Sequence, residues 1–260
     1  MHRVCARRAA SVLVIAVLGL LAACGSSVKP PPSSLGSVVS LKLPDDIANL
    51  PLTEANGSTT TLAAYRGKAV MIADFLTLCT DICPLISANT AAMARALAAD
   101  GESGKVALLE ISVDPQRDTA ARLAAYQKLY GGPMLDWTLL RATPANTKKL
   151  WKFFGVFYGR TKEGKPASID WWTHKPLTYD VDHQDSLVFL NPAGQQRFIV
   201  DAAPQVKTGG GTQPPKSLVQ FLNPDGIKAL YKPNPVDSWT VGQGLQVFSW
   251  LLDHKLAAPA

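Results

Sequence analysis

Cysteine is scarce in this 260-residue chain, which contains four: Cys5, Cys24, Cys79 and Cys83. Only Cys79 and Cys83 lie close together in sequence, in the segment Cys79-Thr80-Asp81-Ile82-Cys83-Pro84. With so few other thiols, this pair becomes the first candidate for redox or metal chemistry.

Clusters of positive charge and internal repeats are missing as well. The formal net charge is only +6, and no stripe of Lys and Arg with interleaved aromatics occurs, which argues against nucleic acid as a partner. An apolar content of 47% excludes a globally disordered chain. The sequence therefore predicts a packed α/β protein without a nucleic-acid interface.

Long apolar runs are limited to one short stretch near the start. Residues 1–23 combine three arginines, a short apolar region at Val12–Leu21 and small residues before Cys24, which is the pattern of an export signal. The apolar region is too short to predict a membrane-spanning helix. Removal of the segment lowers the formal net charge from +6 to +3, because it carries the three arginines and no acid.

Leu21-Ala22-Ala23-Cys24-Gly25 resembles the lipobox of bacterial lipoproteins. The resemblance implies that Cys24 is lipidated and becomes the new N-terminus. It predicts a protein anchored to the cell membrane by lipid and facing outside the cytoplasm, on the periplasmic or extracytoplasmic side. The alternative is an ordinary cleaved signal in which Cys24 has no role.

Export would leave Cys79 and Cys83 as the two remaining thiols, under oxidising conditions. Two thiols this close can form a structural disulfide, a redox pair or part of a metal site. A bridge that closes so short a loop constrains the unfolded chain little, which weakens the structural interpretation.

The rest of the chain predicts one folded domain. Residues 24–40 are rich in Ser, Pro and Gly and are interpreted as a lipidated Cys with a flexible tether, residues 41–260 as one domain, and 203–217 as a flexible loop within it. The predicted elements are a hairpin around Asn56-Gly57, strands at 69–78, 105–113, 137–141 and 187–190, a strand at 197–200 that closes a second hairpin, and helices at 84–99, 118–130, 144–155 and 241–252; residues 218–222 form a strand or a short helix.

The order of these elements is that of a thioredoxin-like fold, with a central mixed sheet flanked by helices, an N-terminal hairpin and a C-terminal extension. Cys79 and Cys83 follow a buried strand at a helix start marked by Pro84, where free N–H groups stabilise thiolate. Residues four apart share one helix face, so both sulfurs can turn toward one ion. The C-x-x-x-C spacing alone has little specificity.

Three motifs together resemble the Sco/SenC family. They are Thr77-x-Cys79-x-x-x-Cys83-Pro84, Ser112-Val113-Asp114-Pro115-Gln116-Arg117-Asp118-Thr119, and Tyr179-x-Val181-Asp182-His183 followed by Leu190-x-Pro192-x-Gly194. Their order and spacing agree with the family from about Leu52 to Val200. Thr80 departs from it, since family members commonly carry Pro directly after the first Cys.

The resemblance implies a thioredoxin-like copper-binding protein that serves assembly of the copper site of cytochrome oxidase. It implies that Cys79, Cys83 and His183 are the copper ligands, and it makes Asp114 a candidate for a supporting group near the metal. The implied partners are the oxidase subunit that holds the copper site, a thiol reductant or copper donor, and the membrane through the lipid anchor.

The donor chemistry agrees with this expectation. Two thiolates and one imidazole suit Cu(I), and Cu(II) with an additional ligand. A structural zinc site would normally need a fourth protein ligand. The cysteines must also be reduced before they load Cu(I).

Other functions remain open from the sequence. A thiol–disulfide oxidoreductase would use Cys79 and Cys83 as a redox disulfide and would tolerate the loss of His183. A peroxiredoxin-type peroxidase would need a Pro in a P-x-x-x-T-x-x-C loop, and that Pro is missing here. An interaction module without chemistry is the last alternative. Enzymatic activity is thus expected only as thiol–disulfide reduction.

Overall fold

The structure is a computed structural model that describes residues 28–134, 136–235 and 238–257. The predicted export signal and Cys24 lie outside the described residues and stay predictions. None of the described helices is both long and apolar enough to cross a membrane.

The described residues form short strands and helices that alternate along the chain. The strands are β1 Ser37–Lys42, β2 Leu52–Glu54, β3 Thr59–Thr60, β4 Ala69–Phe75, β5 Val106–Ser112, β6 Trp137–Arg141, β7 Tyr158–Thr161, β8 Asp180–His183, β9 Ser186–Leu190, β10 Gln195–Asp201, β11 Ala203–Pro204 and β12 Ser238–Trp239. The helices are α1 Asp45–Ala48, α2 Cys83–Ala99, α3 Ala120–Leu129, α4 Pro144–Phe154, α5 Lys216–Val219, α6 Pro224–Tyr231 and α7 Val241–Leu251, with a 3₁₀ turn at Leu62–Tyr65.

An eight-stranded mixed sheet organises the domain, in the order β1-β10-β9-β4-β5-β6-β2-β3. The neighbours β4, β5 and β6 are parallel, and the other pairs of this sheet are antiparallel. Every residue of β4 and β5 is buried, so both faces of the sheet centre are covered. The prediction of a thioredoxin-like fold with a central mixed sheet is confirmed.

The tether prediction is wrong at its C-terminal boundary. Residues 37–40 belong to β1, which pairs with β10 at the edge of the sheet. The strand is mostly exposed, and backbone pairing rather than burial holds it. Gly36 makes the approach possible, because a Cβ there would lie 2.1 Å from the carbonyl oxygen of Ile199.

The predicted loop at 203–217 includes β11 at its start and the first two residues of α5 at its end; the residues between them are irregular and are packed against α2. The side-chain amide of Asn89 donates to the carbonyl of Gln205 (3.2 Å), and the Thr212 hydroxyl donates to the carbonyl of Ala88 (3.2 Å). Val206 is buried. The segment 218–222, predicted as a strand or a short helix, begins with the last two residues of the short helix α5.

Helix ends agree with the sequence at α4 and differ at α3. Thr143 caps α4 through its side chain, and Gly155 ends it in the left-handed conformation. The helix predicted from residue 118 begins later: Thr119 caps α3 by accepting from the N–H of Arg122 (3.2 Å), and the helix starts at Ala120.

A buried acid in the sheet predicts a pH-dependent stability. Glu110 lies in the middle of β5 and accepts from the Ser87 hydroxyl (2.7 Å), and burial raises the pKa of Glu110 to about 7. A carboxyl with a raised pKa keeps its proton longer in the folded state, so stability is highest below the ordinary pKa and falls as pH rises toward 7. We expect Glu110→Gln to remove a loss of about 3 kcal/mol between pH 4.5 and 7.5.

The measurement is urea unfolding of both proteins across that pH range. Gln can still accept from Ser87, so the variant keeps the hydrogen bond and loses only the titration. If the two stability curves run parallel, Glu110 does not titrate in this window.

Candidate metal centre

Cys79 and Cys83 are brought together by the loop that connects β4 to α2. We call residues 76–82 the cysteine loop. Cys83 is the first residue of α2, whereas Cys79 lies before the helix. The predicted shared helix face is therefore wrong. The loop folds back onto the helix start instead, where the N–H groups of Asp81 and Cys83 both donate to the Cys79 sulfur (3.4 Å each).

His183 completes a cluster of three possible metal ligands. It ends β8, and its Nε2 lies 3.3 Å from the Cys83 sulfur. One donor atom from each of Cys79, Cys83 and His183 lies within 4.8 Å of the others. Cys83 is fully buried, while Cys79 is half-buried, so the cluster is open to solvent on the Cys79 side.

Asp74 fixes the orientation of the imidazole. His183 Nδ1 lies 2.6 Å from the Asp74 carboxylate and 2.7 Å from the carbonyl of Gln184. Both partners are acceptors, so Nδ1 carries the proton and Nε2 faces the sulfur. The N–H of Ser186 donates to the other Asp74 oxygen (2.9 Å) and holds the carboxylate in place.

The role of Asp74 is absent from the sequence predictions. One signal was available: Asp74 is an acid inside the apolar run of β4, where a fully buried carboxylate needs a partner. The identity of that partner depends on the antiparallel pairing of β4 with β9, which brings Ser186 and His183 beside it.

The three candidate ligands differ in the direction in which the site shifts their pKa values. A hydrogen bond from Cys83 and the neighbouring His183 hold the pKa of the Cys79 thiol well below its usual value. Burial and the adjacent Cys79 raise the pKa of Cys83. Burial of His183 favours the neutral ring, but Asp74 and Cys79 outweigh it and raise the pKa of His183. The arrangement therefore favours a Cys79 thiolate beside a protonated imidazole.

Asp114 lies in a network beside β8. Its carboxylate pairs with Arg117 and accepts from the Tyr179 hydroxyl (3.0 Å). Arg117 also donates to the Tyr179 carbonyl (2.7 Å) and stacks on that ring, 3.8 Å from its centroid. Arg117 thus pairs with Asp114 and orders its loop. Asp114 acts on the start of β8 through Tyr179, while the contact to the imidazole belongs to Asp74.

Asp118 and Trp171 hold the cysteine loop from two sides. Asp118 is buried, accepts from Ser112 (2.5 Å) and from the Thr77 hydroxyl, and burial raises its pKa to about 6. The indole N–H of Trp171 donates to the Thr77 carbonyl (2.7 Å). Thr77, two positions before Cys79, is therefore held through both its side chain and its backbone carbonyl.

The opening above the ligands is acidic. A cavity of about 370 Å³ is bounded by Cys79 and His183 and by four carboxylates, Asp81, Asp180, Asp182 and Asp185. Burial and the neighbouring Cys79 raise the pKa of Asp81 to about 6. A cavity rimmed by carboxylates attracts cations.

The sequence pattern of the SCO1/SenC family matches residues 46–208, which is well over half of the chain. The chain belongs to the SCO1/SenC family. All three candidate ligands of this SCO1/SenC chain lie inside the matched range. Residues 209–257 lie beyond it and hold α5, α6, β12 and α7.

This SCO1/SenC chain is similar to two curated relatives and to one solved structure. It is 27% identical over 143 residues to the mitochondrial SCO2 homologues of Bos taurus and Mus musculus, covering 55% of this chain and 49% and 51% of theirs. It spans about half the length of the curated relatives it matches. The structure of Bradyrhizobium japonicum ScoI with copper bound is similar at 23% identity and a TM-score of 0.48, covering 66% of this chain and 97% of that one.

Proposed function

We propose that this protein is a copper metallochaperone that binds copper through Cys79, Cys83 and His183 and serves assembly of the copper site of a respiratory cytochrome oxidase. The observation that carries the proposal is the convergence of three soft donors, from the cysteine loop, α2 and β8, within 4.8 Å. Membership of the SCO1/SenC family supports the same assignment.

The donor set fits copper better than structural zinc. Thiolate and imidazole are the ligands that Cu(I) prefers, and a low-coordinate site suits it. Structural zinc sites normally take four protein ligands, and the cluster of His, Cys and acidic residues found in the described part of the chain contains three. Copper is here the cargo, and an incomplete ligand set favours its transfer to a recipient.

The surrounding residues prepare the site for a cation. Asp74 holds the His183 ring with Nε2 toward Cys83, and the N–H groups of the α2 start stabilise the Cys79 thiolate. The acidic cavity lies on the open side of the cluster, where an incoming ion arrives. Both cysteines must be reduced beforehand, so a thiol reductant is a required partner, and a copper donor supplies the ion.

The test of this function is copper titration of the reduced soluble domain in the presence of a competing Cu(I) chelator. We expect His183→Ala to weaken copper binding by about 100-fold, because one of three ligands and its Asp74 support are lost. An unchanged affinity for copper in this variant would contradict the three-ligand site. Circular dichroism serves as the folding control.

Thiol–disulfide reduction is the alternative function, and the unequal cysteines favour it. Cys79 is half-buried with a lowered pKa, which suits an attacking thiolate, and Cys83 is buried behind it. Cys79 would attack a partner disulfide and release one partner thiolate. Cys83 would then attack the Cys79 sulfur of the mixed disulfide, releasing the second partner thiol and leaving a Cys79–Cys83 disulfide for an external thiol to reduce. Wild-type rates of disulfide reduction by His183→Ala would favour this function over copper transfer.

The proposed location is the outer side of the cell membrane, with the protein held by a lipid on Cys24. The lipobox-like sequence before Cys24 supports this proposal. We expect Cys24→Ala to release the protein from the membrane fraction, since a buried acyl chain supplies most of the binding energy. Detergent phase partitioning of the two proteins measures this, and retention of Cys24→Ala in the membrane fraction would contradict it.

A further inference from the structure

The C-terminal extension, residues 209–235 and 238–257, contacts the cysteine loop directly although it lies beyond the family match. The contact is made by the first turn of α6. The N–H of Asn223 donates to the carbonyl of Thr80, the residue after Cys79, at 2.7 Å. The Asn223 side chain caps the same turn by accepting from the N–H of Gly226 (2.8 Å).

Gly226 brings the backbone of α6 against the backbone of the loop. A Cβ at this position would lie 2.9 Å from the carbonyl oxygens of both Thr80 and Asp81 and 3.0 Å from the Asp81 Cα. Any side chain would therefore push the helix and the loop apart. We call Asn223 and Gly226 the α6 contact.

The extension is itself fixed to the helix that carries Cys83. Strands β11 and β12 pair in parallel, and the N–H of Gln205 donates to the carbonyl of Trp239 (2.7 Å). Helix α7 packs on α2 so closely that a Cβ at Gly244 would lie 2.6 Å from the Met93 sulfur. The α6 contact thus ties the segment after Cys79 to a body that is anchored on α2.

We propose that the extension is a positioning element for the two cysteines, acting through the α6 contact to hold them apart as separate thiols ready for a metal. Both cysteines are free, and a disulfide needs sulfurs about 2.05 Å apart. Closing that bond requires the Cys79 sulfur to move toward Cys83, and α6 holds the two residues that follow Cys79, Thr80 and Asp81, against such a movement. The contact therefore opposes the oxidation of the pair.

The oxidation in question joins the two sulfurs and transfers two electrons and two protons to a disulfide oxidant such as oxidised glutathione, which becomes two thiols. The inference rests on the proposed function in one respect only: copper loading is the reason why keeping the two cysteines reduced matters. The position of the thiol–disulfide equilibrium can be measured without copper.

The first test compares Asn223→Pro with Asn223→Ala in glutathione redox buffers. The φ of −72° at Asn223 suits proline, and both variants lose the side-chain cap, but only proline loses the N–H that binds Thr80. We expect Asn223→Pro to shift the equilibrium toward the disulfide by about tenfold relative to Asn223→Ala, which corresponds to ~30 mV. Equal equilibria in the two variants would overturn the proposal.

The second test uses a pair of identical substitutions within the extension, and it stands if Asn223→Pro does not fold. Gly226→Ala separates α6 from the loop, whereas Gly244→Ala crowds the flexible Met93 side chain on α2. We expect the shift toward disulfide in Gly226→Ala and a wild-type equilibrium in Gly244→Ala. The same shift in both would reduce the effect to general destabilisation and overturn the proposal.

Copper titration of the same proteins separates this inference from the proposed function. A wild-type protein that binds no copper would remove the proposed function and leave the thiol comparison intact. Unchanged thiol equilibria with normal copper binding would remove only the positioning role of the extension.

Discussion

Cys83→Ser is expected to lower the affinity for Cu(I) by nearly a thousandfold. Cys83 is fully buried at the first position of α2, where its sulfur lies 3.3 Å from His183 Nε2. A serine hydroxyl is a hard donor and does not replace a thiolate for Cu(I). Structural zinc sites gain about 10–16 kcal/mol from four ligands, so the loss of one strong, buried thiolate ligand is expected to cost up to about 4 kcal/mol.

Serine is nearly the same size as cysteine, so the fold is expected to survive this substitution. Competition with a Cu(I) chelator measures the affinity, and thermal unfolding measures the fold. Arg95→Ala, on the same helix but away from the cluster, is the matched control and should bind copper as the wild type does. Affinity within threefold of wild type in Cys83→Ser would show that the copper is held elsewhere.

Arg122→Ala is expected to destabilise the protein by about 3 kcal/mol, because it leaves a buried carboxylate without its cation. Arg122 on α3 binds Asp170 through two hydrogen bonds of 2.9 and 2.8 Å, and both side chains are buried. Burial alone would raise the pKa of Asp170, but Arg122 and the neighbouring Trp172 and Thr173 hold it well below its usual value.

The same ion pair positions the segment that supports the cysteine loop. Asp170 directly precedes Trp171, whose indole N–H donates to the Thr77 carbonyl. Loss of the pair is therefore expected to weaken copper binding as well as folding. This dependence links a residue on α3 to the loop that carries Cys79.

Urea unfolding measures the change in the free energy of unfolding, and two further variants serve as controls. Lys128→Ala, an exposed change on the same helix, should stay within about 0.5 kcal/mol of wild type. The double variant Arg122→Met with Asp170→Asn removes both charges and should be milder than Arg122→Ala. A loss in Arg122→Ala no larger than that in Lys128→Ala would show that the pair contributes nothing.

The sequence predicts the centre of this fold well, because there the local pattern and the tertiary environment agree. The apolar runs that become β4 and β5 are buried on both faces, and Pro84 and Thr143 mark helix starts that the structure confirms. Strand β1 was not predicted because it lies at an exposed edge of the sheet, where pairing with β10 rather than burial of an apolar face orders it.

The candidate ligands of the site could be predicted from the sequence, whereas the residues that orient them could not. Cys79, Cys83 and His183 belong to motifs whose order is visible in the chain, and the structure brings them together. The partnership of Asp74 with His183 depends on a strand pairing between distant segments. Strands β7 and β8 are short and polar and show no apolar alternation.

The contact between α6 and the cysteine loop had no local signal at all. Asn223 and Gly226 are ordinary helix-start residues in the sequence, and their importance comes from what lies opposite them. Such a contact between two backbones depends on how the extension packs against α2 and the cysteine loop. The local sequence pattern does not specify that packing.

X-ray absorption at the copper edge of the reduced, copper-loaded protein tests the three-ligand site most directly, because it reads the donor atoms themselves. Coordination by Cys79, Cys83 and His183 predicts two sulfur neighbours and one imidazole nitrogen, with the nitrogen lost in His183→Ala. A copper shell made of sulfur alone, or a spectrum that does not change in His183→Ala, would contradict it.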